Sequence, residues 1–288
     1  MNILLSIAFD ALAYGMVLFI ICIGLSVMMG LMRVINLAHG AFAMIGGYIA
    51  SYVAGPMGWG YVPALVCGVI GAALIALPLE RLLYRRVYGA SDPLVQVLMT
   101  IGLTFCIIGA TNFLFGSAMR AIPLPALISG PVDLGVRTVP AHRLFVIACG
   151  VVIASGLWYL IERTSFGIRL RATVDNTGMA GALGVRTDWI YTATFALAVG
   201  LAAFGGAVGA EIMPLDPYYA LRYMVTFLVV VSVGGAGSIG GALVAALLLG
   251  FVDTTGRYLA PNYGEFFFYL AVIAIVFVFP HGLLRRGA

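Results

Sequence analysis

The chain has 288 residues, 63% of them hydrophobic and 9% charged, where soluble domains run at about 45–50% apolar and about 25% charged. That is more apolar surface than a soluble fold of this size encloses, and the same numbers exclude disorder, coiled coil and collagen. All 15 basic residues are arginine and, against 11 acids, leave a net charge of +4. Without a lysine there is neither a Walker A phosphate loop nor Schiff-base chemistry. What remains is a membrane protein with no P-loop of its own.

About 20 apolar residues cross the hydrocarbon core as a helix. In chain order, apolar runs at 8–31, 35–54, 61–79, 94–116, 143–162, 190–212, 221–236, 238–256 and 264–281 meet or approach that length. They predict an all-α polytopic bundle of about 8–10 transmembrane helices in a single membrane domain, 1–288. The first run lacks a basic flank and continues to Leu31, which is too long for a signal peptide. Cys22, Cys67, Cys106 and Cys149 sit in separate runs and read as buried hydrophobes, neither disulfide nor metal site. The seventh and eighth runs are separated only by Gly234-Gly235-Ala236-Gly237-Ser238-Ile239-Gly240-Gly241, either a tight turn at the membrane surface or a broken helix within it.

Arginine orients the chain. Arg81, Arg85 and Arg86 follow the third run, Arg163, Arg169, Arg171 and Arg186 the fifth, and Arg285 and Arg286 end the sequence. Alternation through nine runs puts these clusters and Arg33 on the cytoplasmic side of a plasma membrane, with the N-terminus outside and the C-terminus inside. Segment 117–142, with four prolines, reads as an extended external loop carrying Arg120, Arg137 and Asp133. Small residues recur four apart at Ala43, Gly47, Ser51 and Gly55, and again at Ala198, Ala202, Gly206 and Ala210, a spacing that lets helices approach closely.

Catalytic patterns are missing: there is no HExxH, paired-carboxylate or GxSxG arrangement, and the three histidines lie far apart. The acids Asp10, Glu80, Glu162, Glu211, Asp253 and Glu265 fall near run ends, so no midplane carboxylate offers a proton relay. Polar uncharged residues do enter the fourth run. Gln96, Thr100, Thr104, Thr111 and Asn112 share one stripe, suited either to lining a solute route or to interhelical hydrogen bonds. Asn36, His39 and Gly40 open the second run, where caps and interface residues are the plainer reading.

The cytoplasmic segment 163–189 is too polar to span and too regular for a linker. Asn176 or Thr177 caps a predicted short helix and Gly184 suits its C-terminal stop. Met179 and Leu183 on that helix have no cover within the chain. A partner protein, with Arg169, Arg171 and Asp175 around the contact, is one cover; the membrane surface is the other.

Four blocks carry a resemblance. Asn36-Leu-Ala-His-Gly-Ala-Phe-Ala-Met-Ile-Gly-Gly-Tyr48 opens the second run, and Ser165-Phe-Gly-Ile-Arg-Leu-Arg-Ala172, with Asn176, Ala180 and Leu183-Gly184, fills the cytoplasmic segment. Gly234-Gly-Ala-Gly-Ser-Ile-Gly-Gly-Ala242 and Phe279-Pro-His-Gly-Leu-Leu284 complete the set. Together they resemble LivH-type permeases, membrane subunits of ATP-binding-cassette importers for branched-chain amino acids. The resemblance implies two related permease subunits, two cytoplasmic ATPases that bind ATP and magnesium, and a periplasmic binding protein, with no cofactor in this chain and no catalysis by it. It implies an ATPase contact through Phe166, Gly167, Arg169, Arg171, Ala172, Asn176, Met179, Ala180, Leu183 and Gly184. Asn36, His39 and Gly40 then belong to the translocation region, and the stripe residues Gln96, Thr100 and Thr104 join it on their polarity, apart from the resemblance. Gly234, Gly235, Gly237, Gly240 and Gly241 form a hinge for alternating access, and Glu211, Asp216 and Arg222 face the binding protein. A same-family permease for urea, short amides or another small carboxylate solute shares these motifs. A stand-alone carrier or channel fits the hydrophobicity but leaves the capped cytoplasmic helix without a purpose.

Overall fold

A computed structural model describes residues 2–32, 34–87, 92–133, 138–279 and 282–283. Arg33, Arg137, Pro280, His281, Leu284, Arg285 and Arg286, which entered the topology or the motifs above, lie outside the described residues.

Each of the nine apolar runs forms a helix. In chain order the helices begin with α1 (Asn2–Leu31), α2 (His39–Ala54) and α3 (Tyr61–Leu79), the last continued by a π-helical turn, Glu80–Tyr84, and the short α4 (Arg85–Val87). Next come α5 (Pro93–Phe115), the single turn α6 (Ala126–Ser129), α7 (Ala141–Arg163), α8 (Ser165–Asp175) and α9 (Thr177–Ala182). The chain then runs through α10 (Thr187–Val208), α11 (Tyr219–Gly234), α12 (Ile239–Leu259) and α13 (Gly264–Val278). Six of the described helices are long and apolar enough to cross a membrane: α1, α3 with its continuation, α5, α7, α10 and α12. The 16-residue α2 and α11 and the 15-residue α13 are each about 24 Å long or less at 1.5 Å per residue, short of a core about 30 Å thick.

The layering follows the apolar pattern. A helix apolar on all sides belongs inside a bundle, and α1 is buried along most of its length, packed among α7, α10, α11 and α12. Next to it, α2 and α10 cross where their small residues meet. A Cβ on Gly206 would lie 2.1 Å from the Ala43 carbonyl oxygen, and one on Gly46 would lie 2.4 Å from Ala203. The two ridges of small residues are therefore a helix–helix contact. Helices α3, α5, α7 and α13 turn large apolar side chains such as Leu74, Leu98, Val152 and Phe277 outward, a surface that only lipid or another apolar partner covers.

Several readings of the sequence need correction. Of the four cysteines read as buried, Cys22 is buried, Cys67 and Cys149 are half-buried and Cys106 is exposed. The third apolar run does not end at Leu79, because the helix continues to Val87 and buries Glu80 completely. Asp253 likewise lies inside α12 and is buried. Carboxylates are therefore present within helices, and each is matched by charge: Glu80 with Arg85 at 3.3 Å, and Asp253 with Arg257 at 3.0 Å. The segment after Ser117 is also more ordered than an extended loop. Strands β1 (Pro131–Asp133) and β2 (Thr138–Pro140) pair antiparallel, with Val132 opposite Val139. Arg120 N–H bonds the Leu215 carbonyl at 2.9 Å, and the Ser51 hydroxyl bonds the Ala121 carbonyl at 2.9 Å.

Candidate functional site

Between α1 and α2 the chain runs through Val34–Ala38 without helical bonding, yet it is largely buried. Non-helical backbone survives inside a membrane protein only where other groups satisfy it. Here α5 supplies them: Gln96 Oε1 accepts from Ile35 N–H at 3.0 Å, and Thr100 Oγ1 accepts from Leu37 N–H at 3.2 Å. Asn36 Oδ1 accepts from Ala38 N–H at 3.0 Å and from the Tyr84 hydroxyl at 2.7 Å. His39 places Nε2 2.9 Å from the Ile21 carbonyl, and Gly40 packs beside Ala220 and Phe227. Five of the six residues expected along the solute route, Asn36, His39, Gly40, Gln96 and Thr100, thus gather around one buried link. Thr104 turns away from it and bonds back to its own helix at the Thr100 carbonyl, 2.8 Å away.

The second group forms an elbow at the far end of α7. Helix α8 doubles back so closely that a Cβ on Gly167 would lie 1.9 Å from the Ile161 carbonyl oxygen. Arg171 fastens the elbow by donating to that same carbonyl at 2.7 Å and to Glu162 at 3.3 Å. Phe166 meets Trp189 edge to face. The predicted cap is present: Asn176 Oδ1 accepts from Met179 N–H at 2.9 Å. Gly184, at φ +84, ends the turn, with Val185 N–H bonded to the Ala180 carbonyl. Ala180 points inward, whereas Met179 and Leu183 stand 60% and 78% exposed beside exposed Arg169 and Ala172. Helix α8 is absent from the sequence reading, since alternating arginine with apolar residues conceals its pattern.

The glycine-rich block is a tight turn between α11 and α12. Gly235 and Gly237 take φ +85 and +84, and the Ser238 hydroxyl caps α12 by accepting from Gly241 N–H at 3.0 Å. Gly234 and Gly241 pack backbone to backbone, while Gly240 lies in the first turn of α12. The turn is anchored at both sides. Gly237 N–H bonds the Ser26 carbonyl at 3.0 Å, and Leu283 N–H bonds the Val233 carbonyl at 2.7 Å. The third and fourth sequence blocks therefore meet at the end of α1.

At the opposite end of the bundle lies a cavity of about 450 Å³. Its charged wall holds the ion pair of Arg143 with Asp10 and that of Arg257 with Asp253, together with Glu211. The Tyr258 hydroxyl donates to Asp10 at 2.5 Å. Leu124, Ile128 and Ile212 supply an apolar wall. None of the six residues expected along the solute route lines this cavity. Sequence reading missed it because its walls come from six separated segments, although Asp253 and Arg257 stand at the i,i+4 spacing of helical ion pairs.

Comparison with known proteins gives the family. The model described as "Branched-chain amino acid transport system / permease component" matches residues 7–276. The high-affinity branched-chain amino acid transport system permease protein LivH of Escherichia coli K12 is 27% identical, with 96% of this chain and 94% of that protein covered. The permease protein BraD of Pseudomonas aeruginosa is 26% identical over the same shares. A probable LivH of Methanocaldococcus jannaschii is 23% identical, covering 95% of this chain and 90% of its own. No solved structure matches the chain significantly. With nine apolar helices among the described residues, no catalytic pattern in the sequence and a family match across nearly its whole length, the chain belongs to the permease-component family of branched-chain amino acid transport systems.

Proposed function

We propose that this chain is one membrane subunit of an ATP-binding-cassette importer, working beside a second, related permease subunit. In this reading two cytoplasmic ATPases bind ATP and magnesium and drive transport, and a periplasmic binding protein delivers branched-chain amino acids. The α8–α9 elbow carries the reading: it leaves Met179 and Leu183 exposed on a capped helix that the bundle does not cover. Six residues make a helix too short to persist alone in water, and here the asparagine cap and the clamp of Arg171 hold it ready for a partner. Ala180 and Gly167 set the elbow on the bundle, while Phe166, Arg169, Ala172, Met179, Leu183 and Gly184 form the ATPase contact. Orientation follows from this assignment: the elbow and the glycine turn face the cytoplasm, and Asp10, the 117–142 segment, Glu211, Asp216 and Arg222 face outward toward the binding protein.

Movement of the elbow is passed to the bundle through α7 and α10, which join α8 and α9 to the core. The Gly234–Gly241 turn, in which five of eight residues are glycine, flexes as α11 and α12 rock between outward and inward states. Asn36, His39 and Gly40 hold the α1–α2 link along the route, and Gln96 and Thr100 support its backbone from α5.

The test is reconstitution of the chain with its ATPases, its partner permease and its binding protein in proteoliposomes. ATP-dependent accumulation of L-leucine is the expected result. Movement of solute by the chain alone without ATP overturns the importer reading; ATP-driven uptake of urea or short amides but not leucine overturns the solute. Leu183→Asp should abolish recruitment of the ATPases while the chain still inserts, and retained assembly removes the role given to α9.

A further inference from the structure

The cavity at the Asp10 end has a wall chemistry that the importer reading does not by itself explain. Its two arginines are partnered by Asp10 and Asp253, but a guanidinium carries five donors, and both Arg143 and Arg257 stay partly exposed on the wall. Glu211, by contrast, makes no ion pair among the described residues. Beside it on the wall stands His142, only 5% exposed, hydrogen-bonded to the Val208 backbone and with Nε2 left without a partner. A neutral imidazole that donates one N–H to a carbonyl presents its other nitrogen as an acceptor. A buried acceptor left unmatched costs free energy that a donor arriving from a ligand recovers.

The wall therefore carries polar groups of opposite appetite: spare guanidinium donors, and a carboxylate with an imidazole acceptor. Leu124, Ile128 and Ile212 add an aliphatic surface to the same cavity. The volume of about 450 Å³ falls in the lower part of the roughly 300–1,000 Å³ range of small-molecule sites. We infer that this cavity is a transit site for a free α-amino acid with an aliphatic side chain. Its carboxylate is taken by Arg143 and Arg257, its ammonium by Glu211 and His142, and its side chain by Leu124, Ile128 and Ile212. The arginines are held in place by their own ion pairs before any solute arrives, which limits the ordering cost of binding. The turn of α6, which carries Ile128 between the pinned Ala121 and the β1–β2 pair, covers the side-chain end.

This inference rests on the importer reading, and its test separates the two. The assembled transporter, without its binding protein, is placed in nanodiscs and probed with L-leucine, L-leucinamide and 4-methylpentanoate by saturation-transfer NMR. Leucine should bind at least ten-fold more tightly than either analogue, because the amide loses the carboxylate and the acid loses the ammonium. Glu211→Gln should weaken leucine at least ten-fold and leave 4-methylpentanoate unchanged, whereas Ile128→Trp should weaken both by filling the aliphatic wall. A merely structural role for Glu211 would not distinguish the two ligands. Equal binding of the three ligands overturns the site, as does wild-type leucine affinity in both variants. If the complete transporter fails to accumulate leucine in proteoliposomes, the importer reading falls and takes this site with it. If it accumulates leucine while the variants bind normally, only the site falls.

Discussion

Thr100 and Thr104 are both buried, one turn apart on α5, and a valine would replace either without changing shape or β-branching. The structure nevertheless gives them unequal work. Thr100 Oγ1 accepts from Leu37 N–H at 3.2 Å, across to the α1–α2 link, while Thr104 only donates to the carbonyl of Thr100 in its own helix. Thr100→Val leaves a buried backbone donor with no acceptor, a cost of about 1–3 kcal/mol. Thr104→Val orphans nothing, since the Thr100 carbonyl keeps its helical partner, and should cost less than about 1 kcal/mol. The difference approaches a tenfold change in the folding equilibrium, for which about 1.4 kcal/mol suffices. Unfolding of detergent-purified variants by sodium dodecyl sulfate, followed by the fluorescence of the three tryptophans, reads it directly. If Thr104→Val is as damaging as Thr100→Val, the link does not depend on α5 for its hydrogen bonds. If both are neutral, the link takes water as its partner instead.

Two further substitutions test the elbow. Gly167→Ala brings a Cβ against the rigid Ile161 backbone at 1.9 Å and should destabilise the α7–α8 junction by about 1–3 kcal/mol, seen as lower yield of monodisperse protein and weaker ATPase assembly; normal assembly would mean the elbow opens freely. Asn176→Ala removes the cap on Met179 N–H at about 1 kcal/mol, so hydrogen exchange at 177–183 should speed up and ATPase affinity should fall about five-fold, with unchanged exchange refuting the cap's role.

The sequence and the structure agree where one physical signal decides the outcome. Apolar run length located the nine apolar helices among the described residues, and asparagine and glycine marked the two ends of α9, because each is a local property of consecutive residues. Agreement fails where a residue's role depends on a neighbour far along the chain. Gln96 and Thr100 read either as lining for a solute route or as interhelical hydrogen-bonding groups, and Asn36 as a cap or interface residue, until the link beside them is seen to lack helical bonds of its own. The cavity is the extreme case, since Asp10, Arg143, Glu211 and Asp253 are assembled from helices that no spacing rule connects.

Glu80 and Tyr84 show a second kind of failure, one of phase rather than distance. Pro78 cannot donate to the helical ladder, and shortly after it the chain forms a π-helical turn over Glu80–Tyr84. A π turn takes one extra residue, which rotates every later side chain by about 100° relative to an uninterrupted helix. A periodic reading of α3 carried past Leu79 therefore assigns the wrong face to the residues from Glu80 to Val87. The rotation has a use. The Glu80 carboxylate receives the Thr192 hydroxyl at 3.0 Å and Arg85 at 3.3 Å, while the Tyr84 hydroxyl reaches Asn36 at 2.7 Å. Arg85 in turn approaches Asp188 in the first turn of α10 at 3.8 Å. Burying a carboxylate is tolerable only with such partners, and an isolated one would cost several kcal/mol. One irregular turn thus ties the base of α10, directly after the α8–α9 elbow, to the buried α1–α2 link, and the same irregularity that breaks the sequence pattern is what lets both ties be made.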